Sequence, residues 1–462
     1  MKSDSQEIKN QVRSHNEYDA IGSIATNVAD GFTMVTVGDL IVSRAVTKGN
    51  HPGFSDLVEI LRAGDATFGN LETNILDIRS FKGSPQAEYG GAYLISVPEL
   101  APDLKEMGFN LVGYANNHTF DWGVEGMRET SRLLDQNGII YAGVGENLAQ
   151  AGAARFLETA RGRVALLSFA TSFTPMSRAC DPAGEAPGRP GLNSLRLTES
   201  IVVLPEMLEN LRQVRNALPD FRPGSEDVEV VMLGGKTYKC GGSVGYCYEA
   251  DQRDVDGILR NVRRGKQFAD FCIATNHCHE PGNWSQTPAD FEQSFAHQVI
   301  DAGADAYIAH GPHQLRGIEV YRGRPIFYSL GNFFEDELWT PVGADMFAER
   351  GKDPRVHTDA EVTIDLSTKG DKTDSGSTDG GYDDPVFYES VIAVSRFEHN
   401  RLAEVRLYPI ELGHKKRFAN RGIPSLAPRS RAEAILTRLQ QLSKPFGTEV
   451  VIEHGVGLIR LV

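Results

Sequence analysis

The stretch "FNLVGYANNHTFDWGVEGMRETSRLLDQNG", residues 109–138, joins a strand pattern to a helix pattern through a polar junction. Its first residues form a short continuous apolar run, which is typical of a strand covered on both faces. Val124, Met127 and Leu134 then recur on one helical face, and Gly138 is suited to the end of a helix. This unit therefore predicts a strand that delivers polar residues to the start of a helix.

The same arrangement recurs along the chain. Further apolar runs that end in polar residues lie at 32–39, 163–170, 268–277, 304–313 and 325–333. Amphipathic helical patterns follow several of them. Alternating strands and helices predict a layered α/β fold, in which ligands bind beyond the carboxyl ends of the strands.

The remaining segments suggest how the chain is divided. We expect an N-terminal extension at 1–31, one main domain at 32–414 and a small C-terminal appendage at 415–462. Within the main domain, residues 178–260 break the strand–helix pattern and predict a loop-rich insertion. The segment 367–385 consists largely of Gly, Ser, Asp and Thr without apolar periodicity, so we expect a flexible loop there.

Composition excludes several classes of protein. The chain has 62 acidic and 47 basic residues and a net charge of -15, which argues against a nucleic-acid partner. No apolar run is long enough to span a bilayer, and the N-terminus lacks the apolar core of a signal peptide, so we expect a soluble cytoplasmic protein. The 5 cysteines form no close CxxC pair, which predicts reduced thiols. The oligomeric state is left open.

Residues with metal-binding side chains follow several of the predicted strands. They are Asp39, Glu72, Asn116, Asn117, His118, His277, His279, His310 and His313. Each one alone is also typical of a turn, a helix cap or a solvated loop. Because successive strand ends can meet at one edge of a sheet, the set predicts a site for a divalent transition metal. Mixed imidazole, carboxylate and amide ligands suit Mn, Zn, Fe or Co better than Ca or Mg.

Four other residues are weaker candidates. Asn332, after Gly331, is either a turn residue or a residue that supports the ligands or contacts substrate. Cys278 lies between two of the histidines and could be a soft ligand or a nucleophile, although a buried thiol is usually inert. Arg44 and Arg316, near strand ends, could hold an anionic substrate group, although arginine at such positions is more often solvated.

Four motifs occur in order between residues 35 and 336: "VTVGDLIVSR", "FGNLETNI", "ANNHTFDWGVEGMRET" and "DAGADAYIAHGPHQLRGIEVYRGRPIFYSLGNFFED". They resemble the motif series of the CapA family, the capsule (poly-γ-glutamate) biosynthesis proteins, over residues 32–412. That family is similar in fold to the calcineurin-like metallophosphoesterases. The resemblance implies a calcineurin-like metallophosphatase α/β sandwich that carries the insertion and the appendage.

The resemblance also implies roles at a site with one or two metal ions. The implied ligands are Asp39 and His313 for one ion, Asn117, His277 and His310 for the other, and Glu72 between them. His118 would be the catalytic imidazole, and Asp121 would orient it. The phosphoesterase pattern has a further histidine where this chain has Ile41, which would leave the first ion under-liganded or absent. Whether His277 or the nearby His279 binds the metal is left open.

Three functions are compatible with these residues. The first is a metal-dependent hydrolase, in which a metal-bound hydroxide attacks a phosphoester or an amide of a poly-γ-glutamate-like substrate and His118 assists the leaving group. The second is a metal-dependent peptide Cα epimerase, which needs two opposed bases. The third is a non-catalytic capsule biosynthesis factor. The number of ligand-type residues argues against the non-catalytic factor, and an under-liganded site would suit the epimerase slightly better than phosphoester cleavage. We expect the hydrolase, with a small-molecule or peptide substrate.

Overall fold

The structure is a computed structural model, and it describes residues 25–49, 51–86, 93–219, 228–336, 343–349, 351–359, 361–362, 384–417 and 420–461. Most of the predicted N-terminal extension at 1–31 and nearly all of the predicted flexible loop at 367–385 lie outside these residues. No helix in the described ranges is long and apolar enough to cross a membrane.

The strands, in chain order, are β1 (Phe32–Val42), β2 (Ala66–Asn70), β3 (Asn74–Ile75), β4 (Ile95–Ser96), β5 (Leu111–Gly113), β6 (Ile140–Ala142), β7 (Val144–Gly145), β8 (Arg155–Thr159), β9 (Gly162–Ala170), β10 (Gly191–Leu192), β11 (Leu197–Val203), β12 (Val230–Leu233), β13 (Lys236–Cys240), β14 (Gly245–Ala250), β15 (Phe271–His277), β16 (Ala306–His310), β17 (Ile318–Tyr321), β18 (Arg324–Phe327), β19 (Asn332–Asp336), β20 (Glu389–Glu398), β21 (Arg401–Glu411), β22 (Ser425–Leu426), β23 (Val451–Glu453) and β24 (Val456–Arg460). The α-helices are α1 (Phe54–Arg62), α2 (Leu100–Met107), α3 (Gly123–Gln136), α4 (Leu148–Ala151), α5 (Pro205–Ala217), α6 (Gln252–Gln267), α7 (Glu292–Asp301), α8 (Ala344–Glu349) and α9 (Arg429–Ser443).

Two large sheets form the centre of the described structure. The larger has the order β23-β24-β21-β20-β1-β2-β5-β6, with β19 also paired to β1 and β22 to β21. The smaller has the order β17-β18-β16-β15-β9-β8. Within each sheet, parallel pairs join the strands that carry the candidate site residues, namely β1 with β2 and β15 with β16. Their carboxyl ends therefore lie at one edge of each sheet.

The side-chain alternation of β1 explains the layers. Met34 packs in the core that also contains Leu166 and Ile273 of the smaller sheet. Val35 points to the opposite face and packs in the core that contains Leu57 of α1. A third core lies between the smaller sheet and helices α6 and α7. The result is a helix–sheet–sheet–helix arrangement, and the predicted layered α/β fold is confirmed.

The segment predicted as a loop-rich insertion contains regular structure as well as loops. Strands β11 to β14 form a separate sheet with the order β12-β13-β11-β14. Val203 and Val231 of this sheet pack with Leu208 of α5 in a small core of their own. The segment predicted as a C-terminal appendage extends the larger sheet, because β24 pairs with β21 and Leu439 of α9 packs between the two sheets.

Gly38 allows β19 to approach β1 closely. The amide of Asp39 donates to the carbonyl of Gly331 at 3.1 Å, and a Cβ at position 38 would lie 1.6 Å from that oxygen. The contact places Asn332 opposite Asp39 in the parallel register of the two strands. A side chain at position 38 would separate these two site residues.

Candidate metal centre

Two buried carboxylates lie together at the ends of β1 and β2. The side-chain amide of Asn70 donates to Oδ1 of Asp39 at 2.8 Å and to Oε2 of Glu72 at 3.3 Å. The other oxygen of Asp39 accepts the backbone N–H of Gly311 at 3.2 Å. Asn70 therefore holds both carboxylates in place and leaves Oε1 of Glu72 directed elsewhere.

Histidines from the smaller sheet face these carboxylates. Nδ1 of His310 lies 3.8 Å from Oδ1 of Asp39, and Nδ1 of His313 lies 3.6 Å from Oδ2 of the same residue. Oε1 of Glu72 lies 3.7 Å from Nε2 of His277 and 3.9 Å from Nε2 of His313. These separations exceed ordinary hydrogen bonds but are suited to atoms that share an ion.

His279 adds another imidazole to the same cluster. Its Nε2 lies 2.9 Å from Nε2 of His277, and its ring centroid is 5.3 Å from that of His313. Nδ1 of His279 lies 2.6 Å from the side-chain oxygen of Asn283, which fixes the ring orientation. Nδ1 of His277 lies 3.1 Å from Nδ1 of His310. Both His277 and His279 thus reach the cluster, and the sequence could not choose between them.

Several ligand atoms lack hydrogen-bond partners among the described residues. Buried atoms of this kind are Oε1 of Glu72, Nε2 of His310 and Oδ1 of Asn117. Three groups have ligand atoms within 4.8 Å of one another: Asp39, His277 and His310; Glu72, His277 and His279; and Asp39, Glu72 and His313. Two ligands on one tetrahedral ion with bonds of about 2.1 Å lie roughly 3.4 Å apart. The residues present therefore fit one or two divalent ions, and buried unpartnered donors and acceptors are otherwise unfavourable.

Burial keeps the imidazoles neutral. It lowers the pKa of His277 well below its ordinary value, and the neighbouring imidazoles lower it further. Burial also lowers the pKa of His279 to about 3 and that of His310 to about 4. Because a metal binds the neutral ring, these side chains are ready to act as ligands at neutral pH.

The two carboxyl groups respond to burial in opposite directions. Burial would raise the pKa of Asp39, but the hydrogen bond and charge of His313, with help from His310 and Asn70, lower it below its ordinary value. For Glu72, burial raises the pKa well above its ordinary value, and the negative charge of Asp39 raises it further. The surroundings therefore favour the ionised form of Asp39 and the protonated form of Glu72, and a cation bound there would compete with the proton of Glu72.

His118 lies beside this cluster with its ring held from behind. Its Nδ1 is 2.7 Å from Oδ2 of Asp121, which also accepts the amide of Leu94 at 2.8 Å. Its Nε2 lies 3.9 Å from Oε1 of Glu72. The His118 side chain is 13% exposed, against 0% for Glu72. One face of this imidazole is therefore open to a substrate while the other nitrogen is fixed by a carboxylate.

His313 adopts an unusual backbone conformation. Its φ of 58° lies in the left-handed region, which costs a non-glycine residue on the order of 1 kcal/mol. Its Nδ1 lies 3.0 Å from the side-chain oxygen of Asn332. Asn332 thus supports the ring of His313, which agrees with the supporting role considered for it from the sequence.

Comparison with known protein families identifies the family of this chain. The sequence model described as bacterial capsule synthesis protein PGA_cap matches residues 33–337. The chain belongs to this bacterial capsule synthesis family. The family is in the metallophosphoesterase-like superfamily, which confirms the resemblance seen in the sequence.

Three relatives show how this member of the family compares with other proteins. The uncharacterized protein y4uA of Sinorhizobium fredii is 68% identical over 445 residues, which cover 96% of each chain. The capsule biosynthesis protein CapA of Bacillus anthracis is 26% identical over 327 residues, covering 70% of this chain and 64% of that protein. The PGA biosynthesis protein CapA of Bacillus subtilis is 26% identical over 310 residues, covering 66% and 63%.

The sequence pattern missed two residues of the capsule synthesis protein's centre. Asn70 ends β2 and binds both carboxylates, yet the motif "FGNLETNI" drew attention only to Glu72. Glu335 accepts a hydrogen bond from Asn332, and its charge contributes to the raised pKa of Glu72. The signal for Asn70 was the same as for the predicted ligands, a polar residue at the end of an apolar run.

Three sequence candidates are directed away from the cluster in this family member. The thiol of Cys278 donates to Oε2 of Glu280 at 3.3 Å, and Cys278 is not part of the ligand groups found among the described residues. Arg316 is fully buried and donates to the carbonyl of Ser285 at 3.1 Å, so it is not a solvated arginine and does not face substrate. The side chain of Arg44 is 31% exposed and pairs with Asp336 at 3.0 Å.

Proposed function

We propose that this capsule synthesis protein is a metal-dependent hydrolase. One observation carries the proposal: unpartnered ligand atoms of Glu72 and His310 lie in a buried cluster, beside a partly exposed His118 that is held by Asp121. A site that only stabilised the fold would be closed on all sides by its ligands. Here a ligand cluster and an oriented imidazole face the same space.

The residues of the chain divide the chemistry between them. A divalent ion held by these ligands would lower the pKa of a water and polarise the bond to be broken. With Asp121 accepting the Nδ1 proton of His118, Nε2 would be the nitrogen that takes a proton and returns it to the leaving group. Asn70 keeps the two carboxylates from separating, and Asn332 keeps His313 in place.

The names of the relatives suggest which bond to test first. The Bacillus subtilis relative is named as a PGA biosynthesis protein, and the Bacillus anthracis relative as a capsule biosynthesis protein. We therefore propose an amide bond in a poly-γ-glutamate-like chain as the first substrate and a phosphoester as the second. Mn, Zn, Fe and Co remain the candidate metals.

The epimerase receives less support from the geometry, because Cys278 and His279 are poorly suited to act as the second base that it requires. Burial raises the pKa of Cys278 well above its ordinary value, and its thiol is turned to Glu280. The lowered pKa of His279, about 3, makes it a weak base. Neither Cys278 nor His279 therefore provides a second base to match His118.

The first experiment measures metal content. Wild-type protein purified without chelator should contain stoichiometric transition metal, whereas Asp39→Ala and His310→Ala should lose most of it. His399→Gln is the matched control, because this histidine is 87% exposed in the turn between β20 and β21. No stoichiometric metal in wild-type protein, before or after incubation with Mn²⁺ or Zn²⁺, would refute the proposal.

The second experiment separates the reactions. The metal-loaded protein is incubated in D₂O with γ-glutamyl oligomers and with phosphodiesters, and the products are analysed by mass spectrometry. The hydrolase should release shorter oligomers or a phosphomonoester, without deuterium at Cα of intact substrate. Deuterium at Cα without cleavage would instead identify an epimerase.

A further inference from the structure

A strongly basic segment lies in an otherwise acidic protein. Residues 414–421, "HKKRFANR", connect β21 to β22 and contain two lysines and two arginines, whereas the whole chain has a net charge of -15. The described structure contains no ion pair that involves Lys415, Lys416 or Arg417. Uncompensated cations placed together repel one another, so a patch of this kind favours an anionic ligand.

Lys416, Arg417 and Asn420 of this segment line one side of a surface cavity. The cavity has a volume of about 350 Å³ and is lined by His51, Pro52, Lys416, Arg417, Asn420, Ile423 and Pro424. Burial lowers the pKa of His51, and the charges of Arg44 and Lys416 lower it further, which shows that these cations share one positive region. The acid that faces this region, Asp336, is buried and already paired with Arg44.

The backbone ties the cavity to the metal centre. The amide of Glu335 in β19 donates to the carbonyl of Gly422 at 3.0 Å. Gly422 has a φ of 86°, and a Cβ there would lie 1.9 Å from the carbonyl oxygen of Glu335, so only glycine permits this approach. Asn332, which holds His313, lies three residues earlier on the same strand, or about 10 Å along it.

We propose that His51, Lys416 and Arg417 form a subsite for a carboxylate-rich part of the substrate, on a chain that extends from the metal centre. The assignment of carboxylates rests on the function proposed above, whereas the positive charge of the cavity does not. A polymer with repeated carboxylates would place one unit at the metal centre and the next units near this cavity. The subsite would then select a polyanion and hold it for cleavage.

The test measures binding in the absence of metal, so that its outcome does not depend on catalysis. A fluorescein-labelled γ-glutamyl oligomer is titrated with full-length protein in EDTA at low ionic strength, and anisotropy is recorded. Lys416→Gln/Arg417→Gln should weaken binding roughly tenfold, as expected for two lost charge contacts. The matched control is Arg263→Gln/Arg264→Gln on helix α6, which removes two exposed arginines far along the chain.

Each outcome is decisive for the subsite. Equal weakening in both double variants would show a general effect of net charge and would overturn the proposal, as would unchanged binding in Lys416→Gln/Arg417→Gln. Equally tight binding of a γ-glutaminyl oligomer of the same length, or tight binding of oligophosphate alone, would overturn the carboxylate class. If Asp39→Ala loses metal binding but binds the oligomer as wild type does, the subsite binds the oligomer independently of the metal centre.

Discussion

The two buried carboxylates of the metal centre should give opposite results when each is replaced by its amide. In metal-free protein, burial and the negative charge of Asp39 raise the pKa of Glu72, which favours its protonated form. Glu72→Gln replaces this carboxyl group with a neutral group of similar size. We expect the free energy of unfolding in EDTA at pH 7 to rise.

The sign follows from proton linkage. The pKa of Glu72 is higher in the folded state than in the unfolded state, where it lies near 4.5. Above that value the unfolded chain binds fewer protons, so the wild-type free energy of unfolding falls as pH rises through the interval between the two pKa values. Glu72→Gln removes this loss, and its advantage over wild type should be larger at pH 7 than at pH 4.

Asp39→Asn should behave differently, because this carboxylate is ionised and accepts hydrogen bonds from Asn70 and Gly311. Its folded pKa is lowered, so it contributes stability above pH 3.8 that is lost as pH falls through the folded pKa. An amide at this position loses the charge and one acceptor. We expect a loss of about 2 to 3 kcal/mol in EDTA at pH 7, which is typical of charge-assisted hydrogen bonds.

Metal should reverse which of the two proteins, wild type or Glu72→Gln, has the higher free energy of unfolding. At a metal concentration of about 1,000 times the Kd, wild-type protein should gain about 4 kcal/mol. Both variants should lose most of this gain. Urea unfolding followed by tryptophan fluorescence, with EDTA and then with Mn²⁺ or Zn²⁺, measures all six values for wild type and the two variants. If Glu72→Gln is destabilised in EDTA as much as Asp39→Asn, the assignment of the proton to Glu72 is wrong.

Three further predictions concern other parts of the structure. Burial raises the pKa of Glu292 from 4.5 to about 8, so the wild-type free energy of unfolding should fall as pH rises between these values. Glu292→Gln lacks this pH dependence, and urea unfolding at pH 4.5 and pH 8 should show its free energy of unfolding rising by roughly 4 kcal/mol relative to wild type. Asp121→Asn should leave metal content unchanged and lower hydrolysis ten- to a hundredfold, because the ring of His118 loses its support; an unchanged rate would contradict this. Gly38→Ala should destabilise the protein by more than about 3 kcal/mol in thermal unfolding, because its Cβ meets the carbonyl of Gly331; a milder effect would show that β19 can move.

The main fold could be predicted because its strands are buried on both faces and therefore read as continuous apolar runs. In β1 and β15 nearly every residue is buried, so the pattern is strong. The strands of the insertion are different. β13, "KTYKC", has no buried residue, and in β11 only Ser200 and Val203 are buried, so apolar periodicity could not reveal this small sheet.

The candidate ligands could be predicted from chain position alone, but the direction of a side chain could not. Residues that follow one another in an extended segment point to opposite sides. His277 and His279 both point to the cluster, while the thiol of Cys278 between them points to Glu280. Applying this alternation would have removed Cys278 and favoured both histidines. Asn70, a polar residue at the end of an apolar run, could have been found by the same signal as the ligands, but its bonds to both carboxylates are seen only in the structure.

The missing histidine at Ile41 no longer argues against a metal centre. Ile41 is buried in β1, opposite Glu335, and supplies no ligand atom. The imidazole of His279, from the segment after β15, lies beside His313 and within reach of Glu72 instead. A metal ion binds the ligand atoms that lie close together in space, whichever strand carries them. We propose that His279, from the opposite sheet, supplies a ligand nitrogen that the first strand lacks, and His279→Ala should then weaken metal binding as strongly as loss of an ordinary ligand.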